Sequence, residues 1–326
     1  MVDKSEYIES YYQLGILKHR FIRPKLYSYL KNGATLTANR IVNEPIINNY
    51  AKQISRFTGF PTICSAYIAF GEKSSFRPHW DSRDIFVLQT VGKKRWLIYP
   101  PSFKNPLYMH KSLHLGEQYP CPTDPIMDII LEEGDILYLP RGYWHDPLPL
   151  GMETVHLTIA IYPATGLEYI EWLHNKLSYV DEVRQSLSSW QEDKVSIENL
   201  ADKISNFIKN ERSYKEFMNE FVGNQRLETN LNLEILGDVK TSILPDSAKL
   251  SLNSNQHYNE DSQFIIANGV KLNLDSDLEP IVVYIAQNPG VLVGDIFKLF
   301  NYIDRDKISA SLYNLCINDV FEILEY

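Results

Sequence analysis

The chain has few cysteines, no long apolar run and no Cys-x2-Cys pair. Its three cysteines, Cys64, Cys121 and Cys316, are far apart, which argues against a disulfide framework and against a zinc ribbon. No segment approaches the roughly 18 consecutive apolar residues of a membrane-spanning helix, and the charged N-terminus lacks the apolar core of a signal peptide. We therefore expect a cytoplasmic protein that makes no membrane contact.

The sequence also lacks the short motifs of several common enzyme classes. It contains no phosphate-binding glycine loop and no arrangement typical of a serine nucleophile. The formal net charge is −9 and is unevenly spread: residues 1–166 carry 18 basic and 15 acidic side chains, whereas residues 167–326 carry 14 and 26. The acidic half argues against a nucleic-acid partner. It suits a basic protein partner, although an acidic surface exposed to water explains the same composition.

What the chain does contain is a ligand set for a metal ion. His79 and Asp81 are two residues apart in a segment of extended character, so their side chains point to the same side. His145 follows a sharp turn that Pro140 and Gly142 impose at the end of a predicted strand. Two histidines and a carboxylate suit a non-haem Fe(II) ion and leave its other positions open for O2 and a cosubstrate. The alternative for the first two residues is a hydrogen-bonded pair at the surface.

Apolar segments of strand length surround these residues. The turn at Gly92 predicts that two neighbouring strands, one before it and one after it, form a hairpin. The metal motif would then lie in one β-rich region. The strands are predicted over 63–70, 84–89, 95–99, 135–139 and 155–161.

The metal motif resembles that of a known enzyme family. The pattern Gly-Asp-x4-Pro-x-Gly-x2-His, from Gly134 to His145, resembles the second metal motif of the cupin superfamily. His79 and Asp81, together with His145, resemble the iron triad of the JmjC-type 2-oxoglutarate oxygenases. The longer run from His79 to Trp96 is similar to the cupin-like JmjC group that contains the ribosomal oxygenases. The resemblance covers residues 60–165 and implies a mainly β plus α protein, built on a double-stranded β-helix (the cupin/JmjC jelly roll).

The resemblance also implies residues that hold the cosubstrate 2-oxoglutarate. Lys94 stands where the family places a lysine or arginine for the distal carboxylate, and a fixed cation suits a dicarboxylate in a dry pocket. Without the family, Lys94 is one of three charged residues in a turn exposed to water. Four further residues are assigned to the cosubstrate on the same ground, with packing inside the barrel as the alternative: Tyr67, Ser65, His156 and Thr158.

The segment after the barrel is predicted to be helical. Its apolar spacing is typical of amphipathic helices, and Ser196 is expected to be an N-cap. This helical block would form a homodimer interface or a cap on the barrel. The helices are expected over 167–177, 180–190, 196–209 and 213–221.

The C-terminal elements resemble a winged helix, which the ribosomal-oxygenase group also carries at this end. In a winged helix that binds DNA, one helix recognises the DNA. The acidic residues around the candidate for that helix favour a structural or protein-binding role over DNA binding: Asp295, Asp304, Asp306 and Asp319. The elements are helices over 278–287, 293–300 and 306–318 and a strand over 321–324. We therefore predict three parts: a JmjC/cupin-like catalytic domain over 1–165, the helical region over 166–225, and a winged-helix-like domain over 226–326.

Together these features imply an Fe(II)- and 2-oxoglutarate-dependent oxygenase. Such an enzyme converts 2-oxoglutarate and O2 to succinate and CO2 while it hydroxylates a C–H bond, and the protein supplies geometry and excludes water. The substrate that the resemblance implies is a protein side chain, with a ribosomal protein as the first candidate. Two alternatives stay open. One is a small-molecule cupin dioxygenase or hydroxylase, and the other is a non-catalytic cupin-type regulatory binding module.

Overall fold

A computed structural model of the chain describes residues 2–42, 44–72, 76–224, 233, 243–253, 264–267 and 270–325. The chain divides into two compact units. One comprises Met1–Ile54 and Thr62–Tyr162, and the other comprises Ser55–Pro61 and Pro163–Tyr326. The predicted division into three parts stays a prediction, and its boundary at residues 225 and 226 lies outside the described residues.

The first unit is mainly β-structure. Its helices are α1 (Arg23–Lys31), α2 (Pro45–Thr58), whose last residues belong to the second unit, and α3 (Ser112–Leu115). Its strands are β1 (Ile8–Gln13), β2 (Ile16–Phe21), β3 (Leu36–Ala38), β4 (Thr62–Ala69), β5 (His79–Trp80), β6 (Ile85–Val91), β7 (Lys94–Tyr99), β8 (Met127–Leu131), β9 (Ile136–Leu139), β10 (Trp144–Pro149) and β11 (Thr154–Ile161).

Strands β3 to β11 form two sheets. One sheet has the order β5-β10-β7-β8 and the other has the order β3-β4-β11-β6-β9, and every pairing within them is antiparallel. From β4 to β11 the chain passes back and forth between the sheets, which is the topology of a double-stranded β-helix. The predicted fold class is therefore confirmed. The buried side chains of β6 and β7, including Val87 and Trp96, form one core cluster with Leu131 and Leu139.

The hairpin predicted around Gly92 is wrong. Strand β6 lies between β11 and β9, whereas β7 lies between β10 and β8 in the other sheet. Both edges of β6 are already paired, so β7 has no free edge to join. Gly92 lies in the short connection between the sheets with φ +63°, and a Cβ there would collide with the carbonyl oxygen of Glu153.

The second unit begins with helices. They are α4 (Gly166–Leu177), α5 (Asp181–Arg184), α6 (Trp190–Lys209) and α7 (Glu211–Gly223). The helix predicted over 180–190 is shorter in the structure, where α5 ends at Arg184. Ser188 lies just before α6 instead, and its N–H donates to the Asp193 carboxylate at 2.5 Å. Ser196 lies inside α6, so its prediction as an N-cap is wrong.

The C-terminal part of the second unit has its own core. Its elements are β12 (Lys249–Leu252), β13 (Phe264–Ala267), β14 (Val270–Asn273), α8 (Leu278–Gln287), β15 (Val291–Leu292), α9 (Val293–Leu299), α10 (Arg305–Ile317) and β16 (Phe321–Glu325). Strands β15, β12 and β16 form a sheet, and Leu250 and Phe321 from it pack with Ile281, Ile296 and Leu312 of the three helices. The predicted helices and final strand are confirmed, while the winged-helix assignment stays a prediction. Among the described residues, no helix is long and apolar enough to cross a bilayer.

Candidate metal and cosubstrate site

His79, Asp81 and His145 come together in the first unit. One ligand-type atom from each of the three lies within 4.8 Å of those of the other two, and His145 Nε2 lies 3.7 Å from Asp81 Oδ2. Strand pairing produces this arrangement, because β5 and β10 run antiparallel with His79 opposite His145. Among the described residues, this is the cluster in which three side chains of metal-ligand type meet. We call it the metal end.

Both histidines are held in one tautomer. The Nδ1 of His79 lies 2.9 Å from the carbonyl oxygen of Arg77, and the Nδ1 of His145 lies 3.2 Å from that of Tyr143. A carbonyl only accepts, so Nδ1 carries a proton in both rings and Nε2 is the nitrogen left to bind a metal ion. Burial, followed by the neighbouring His79, lowers the pKa of His145 to about 4. Two imidazole rings that present Nε2 beside a carboxylate fit a divalent transition-metal ion.

Backbone hydrogen bonds fix the two turns that carry these ligands. The N–H of Gly142 donates to the carbonyl of Asp81 at 3.0 Å, and the N–H of Arg141 donates to the carboxylate of Asp84 at 3.1 Å. Gly142 has φ +86°, and a Cβ at this position would lie 2.8 Å from the carbonyl oxygen of Phe103. The turn before His145 therefore requires glycine for both its conformation and its packing.

A cavity extends from the metal end between the two sheets. Its empty volume is about 490 Å³, part of which is open to solvent. Four of the five residues that the sequence assigns to the cosubstrate line it: Tyr67, Lys94, His156 and Thr158.

Ser65 is the fifth, and the structure does not bring it into the cavity lining. It pairs across the strands with Thr158, on the same face of β4 as Tyr67. Its hydroxyl oxygen accepts a long hydrogen bond from the N–H of Arg40, at 3.5 Å. Contact between Ser65 and a cosubstrate therefore stays a prediction.

Lys94 is buried, so the alternative of a turn charge exposed to water is wrong. Alternation along β7 turns Lys94 inward together with Trp96, and only 3% of Lys94 is exposed. Its neighbour Lys93 points outward and pairs with Glu132 at 2.5 Å. In the described part of the chain no carboxylate pairs with Lys94, and burial lowers its pKa to about 8. A buried cation without a counter-ion is costly unless an anion binds beside it.

Among the described residues, one side chain is hydrogen-bonded to Lys94. The Nζ of Lys94 lies 3.2 Å from Nδ1 of His156, whose ring stacks on Tyr67 with centroids 4.9 Å apart. Burial, followed by the charge of Asp81, raises the pKa of Tyr67 to about 12, so its hydroxyl stays protonated and can donate. We call Lys94, His156 and Tyr67 the lysine end. The sequence-based prediction gave no role to Trp96, although its spacing of two from Lys94 on one strand places it on the same face.

A second pair of histidines, His110 and His114, lies outside the cavity. The Nδ1 of His110 accepts from the N–H of Leu107 at 3.1 Å, so this nitrogen is already occupied, and His114 is exposed. Neither belongs to a group of three ligand-type side chains among the described residues.

Comparison with known proteins finds a domain that this part of the chain resembles. The profile of the JmjC domain matches residues 38–169, which hold the metal end and the lysine end. The matched segment contains strands β4 to β11 and ends within α4, so the similarity is to this part of the chain.

Two curated proteins are similar to part of the chain. The bifunctional lysine-specific demethylase and histidyl-hydroxylase NO66 of Drosophila persimilis is 31% identical over 148 residues, which are 44% of this chain and 20% of that protein. Ribosomal oxygenase 1 of Gallus gallus is 34% identical over 103 residues, covering 30% of this chain and 16% of the relative. The matched segments thus span about a fifth or less of these two relatives.

A solved structure extends the likeness of fold to nearly the whole chain. The ribosomal oxygenase YcfD of Escherichia coli, in complex with cobalt and 2-oxoglutarate, superposes with a TM-score of 0.59 over 99% of this chain and 88% of that one. The sequence identity is 16%, so the match establishes a shared fold.

Proposed function

We propose that the chain is an Fe(II)- and 2-oxoglutarate-dependent oxygenase that hydroxylates a protein side chain. The observation that carries the proposal is a single cavity with a three-ligand metal cluster at one end and a buried, unneutralised lysine beyond it. The cluster supplies ligands for a metal and the lysine supplies a charge for an anion. A cosubstrate with a metal-chelating end and a carboxylate end matches both.

His79, Asp81 and His145 would hold the iron. The two Nε2 atoms and the carboxylate oxygen are the donor types that non-haem Fe(II) takes, and three protein ligands leave positions for other molecules. When bound, Fe(II) supplies the oxygen chemistry that decarboxylates 2-oxoglutarate to succinate and oxidises a C–H bond. The three residues act as ligands and the barrel around them limits access of water.

Lys94 would bind the distal carboxylate of 2-oxoglutarate. A charge-assisted hydrogen bond in a dry site is about twice as strong as a neutral one, and it offsets the cost of burying the ammonium. The Tyr67 hydroxyl, which stays protonated, would donate to the same carboxylate. Thr158 and His156 line the cavity from β11.

The proposed substrate is a protein, and a ribosomal protein is the first candidate. Support comes from the relatives, which are named as histidyl-hydroxylases and ribosomal oxygenases. The acidic second half of the chain, with 14 basic and 26 acidic residues over 167–326, suits a basic partner such as a ribosomal protein. A homodimer through residues 166–225 and a cytoplasmic location remain part of the proposal.

The test is turnover with the metal supplied under control. The full chain is loaded with Fe(II) without oxygen, then mixed with 2-oxoglutarate and air, and succinate is measured with and without ribosomal proteins. We expect slow succinate formation that a ribosomal protein accelerates, with the gain of one oxygen atom in that protein by mass spectrometry. His79→Ala should abolish both signals, and His110→Ala should leave them unchanged. Turnover that only a free metabolite accelerates would favour a small-molecule hydroxylase instead.

A further inference from the structure

The hydrogen bond between Lys94 and His156 has a fixed direction. An ammonium group has three donors and no acceptor, so Nδ1 of His156 accepts at 3.2 Å and the ring proton lies on Nε2. The ring is neutral as well as fixed in its tautomer. Its burial, followed by the charge of Lys94, lowers its pKa well below the usual range.

The aromatic surroundings leave the His156 ring little freedom. Tyr67 stacks on it with the planes 4° apart, and Trp96 meets it edge-on with centroids 5.3 Å apart at 80°. His156 and Trp96 are each only 2% exposed. A lysine side chain has many rotamers, and holding one of them costs entropy at binding unless the protein has fixed it beforehand. An immobile acceptor such as Nδ1 of His156 can hold the Lys94 side chain in one rotamer before the ligand binds.

We propose that His156 is a positioning residue that aims the Lys94 ammonium group at the cosubstrate. Nδ1 of His156 takes one of the three N–H donors, and the other two remain available for the distal carboxylate of a 2-oxo dicarboxylate. This inference rests on the proposed function. It differs from direct contact between His156 and the cosubstrate, because His156 acts through Lys94 and through the ligand group that Lys94 binds.

The experiment compares two metal-chelating ligands that differ at the distal end. 2-Oxoglutarate carries the carboxylate that Lys94 would bind, and oxalate lacks it. Their dissociation constants are measured by titration calorimetry on the full chain loaded with Mn(II), which needs no turnover. The variants are His156→Leu, which removes the acceptor, and His156→Asn, whose side-chain oxygen can take the place of Nδ1.

We expect His156→Leu to weaken 2-oxoglutarate binding roughly 10- to 100-fold, which is the range for one charge-assisted hydrogen bond. Oxalate binding should stay within about threefold of the parent chain, and His156→Asn should recover most of the 2-oxoglutarate affinity. Loss of the acceptor also disfavours the charged amine, so 2-oxoglutarate binding by His156→Leu should decline at a lower pH than binding by the parent.

Three outcomes would overturn the inference. One is unchanged 2-oxoglutarate affinity in His156→Leu, and a second is an equal loss for both ligands, which indicates a structural role. The third is failure of His156→Asn to recover affinity although its unfolding midpoint matches that of the parent. If the parent chain binds oxalate but not 2-oxoglutarate, the proposed function fails first, and that result is distinct from the other three.

Discussion

At the metal end of the cavity His145 is buried but Asp81 leaves 42% of its side chain exposed, whereas at the lysine end both Lys94 and His156 are buried. The metal end is held by hydrogen bonds from ring nitrogens and backbone N–H groups to carbonyl oxygens, and it stays accessible. The lysine end is held by burial, by ring contacts and by the hydrogen bond between Lys94 and His156. A site for O2 and a protein side chain must be reached from outside, while a small dicarboxylate is bound best in a dry enclosure.

Because the two ends differ, site variants should change two affinities independently: the affinity for ligands that bind through the metal, and the added affinity that a second carboxylate gives. Damage at the metal end should affect every ligand that binds through the metal. Damage at the lysine end should affect only ligands with a second carboxylate. The following substitutions test that separation.

The largest effect is expected from removal of a metal ligand. His79→Ala or His145→Ala should weaken Mn(II) binding by more than about 100-fold, since loss of residues that merely orient such ligands already costs about 10- to 100-fold. The measurement is a metal titration of the full chain, with His110→Ala as the control because its Nδ1 is occupied outside the cavity. Unchanged metal affinity in His79→Ala would contradict the assignment of the metal end.

A smaller and more selective effect is expected from Lys94→Met. The substitution keeps most of the side-chain length but removes the charge, so 2-oxoglutarate affinity should fall about 10- to 100-fold while metal affinity is retained. Lys93→Met is the matched control, because the neighbouring lysine points outward and pairs with Glu132. Equal losses in both variants would mean that charge near the turn, rather than a fixed contact, attracts the cosubstrate.

The metal end was accessible to sequence reasoning because its evidence is local. The two-residue spacing of His79 and Asp81 follows from strand geometry, and the turn before His145 carries proline and glycine at fixed positions. The pairing of β5 with β10, which brings the histidines together, is non-local, and the resemblance supplied it. The lysine end has no local signal at all, since Lys94 stands between Lys93 and Arg95.

The wrong hairpin has the same non-local origin. Sequence spacing treats the strands on either side of Gly92 as neighbours, but β6 is already paired along both edges, so β7 joins the other sheet. For this hairpin the deciding fact is which distant strand lies alongside, and a single sequence does not specify it. Ser65 shares a strand face with Tyr67, and alternation alone does not distinguish the two, although Tyr67 lines the cavity and Ser65 is not among its lining residues.

A pH titration should separate the two ends without any substitution at the metal. Burial lowers the pKa of Lys94 from 10.5 to about 8, so its charged form prevails below about pH 8 and is lost above it. The 2-oxoglutarate affinity of the Mn(II)-loaded chain should therefore be flat up to that pH and decline at higher pH, by up to about tenfold per unit. Oxalate affinity should not show this step, and Lys94→Met should remove it. A decline that persists in Lys94→Met would assign the step to another group.

The smallest effect on metal binding is expected at the turn before His145, and the comparison is between two glycines with left-handed backbones. Gly134 has φ +96° with no atom within 4 Å of the place where a Cβ would lie, so Gly134→Ala should cost only the backbone strain, about 1 kcal/mol in the free energy of unfolding. Gly142 has φ +86° and would place a Cβ 2.8 Å from both the Phe103 carbonyl oxygen and Pro106 Cδ, so Gly142→Ala should cost about 2–3 kcal/mol. Chemical denaturation measures both.

Because the N–H of Gly142 also donates to the carbonyl of Asp81, Gly142→Ala should weaken metal binding as well, and Gly134→Ala should not. Equal losses of metal affinity in the two variants would show that overall stability, and not this turn, governs the metal end.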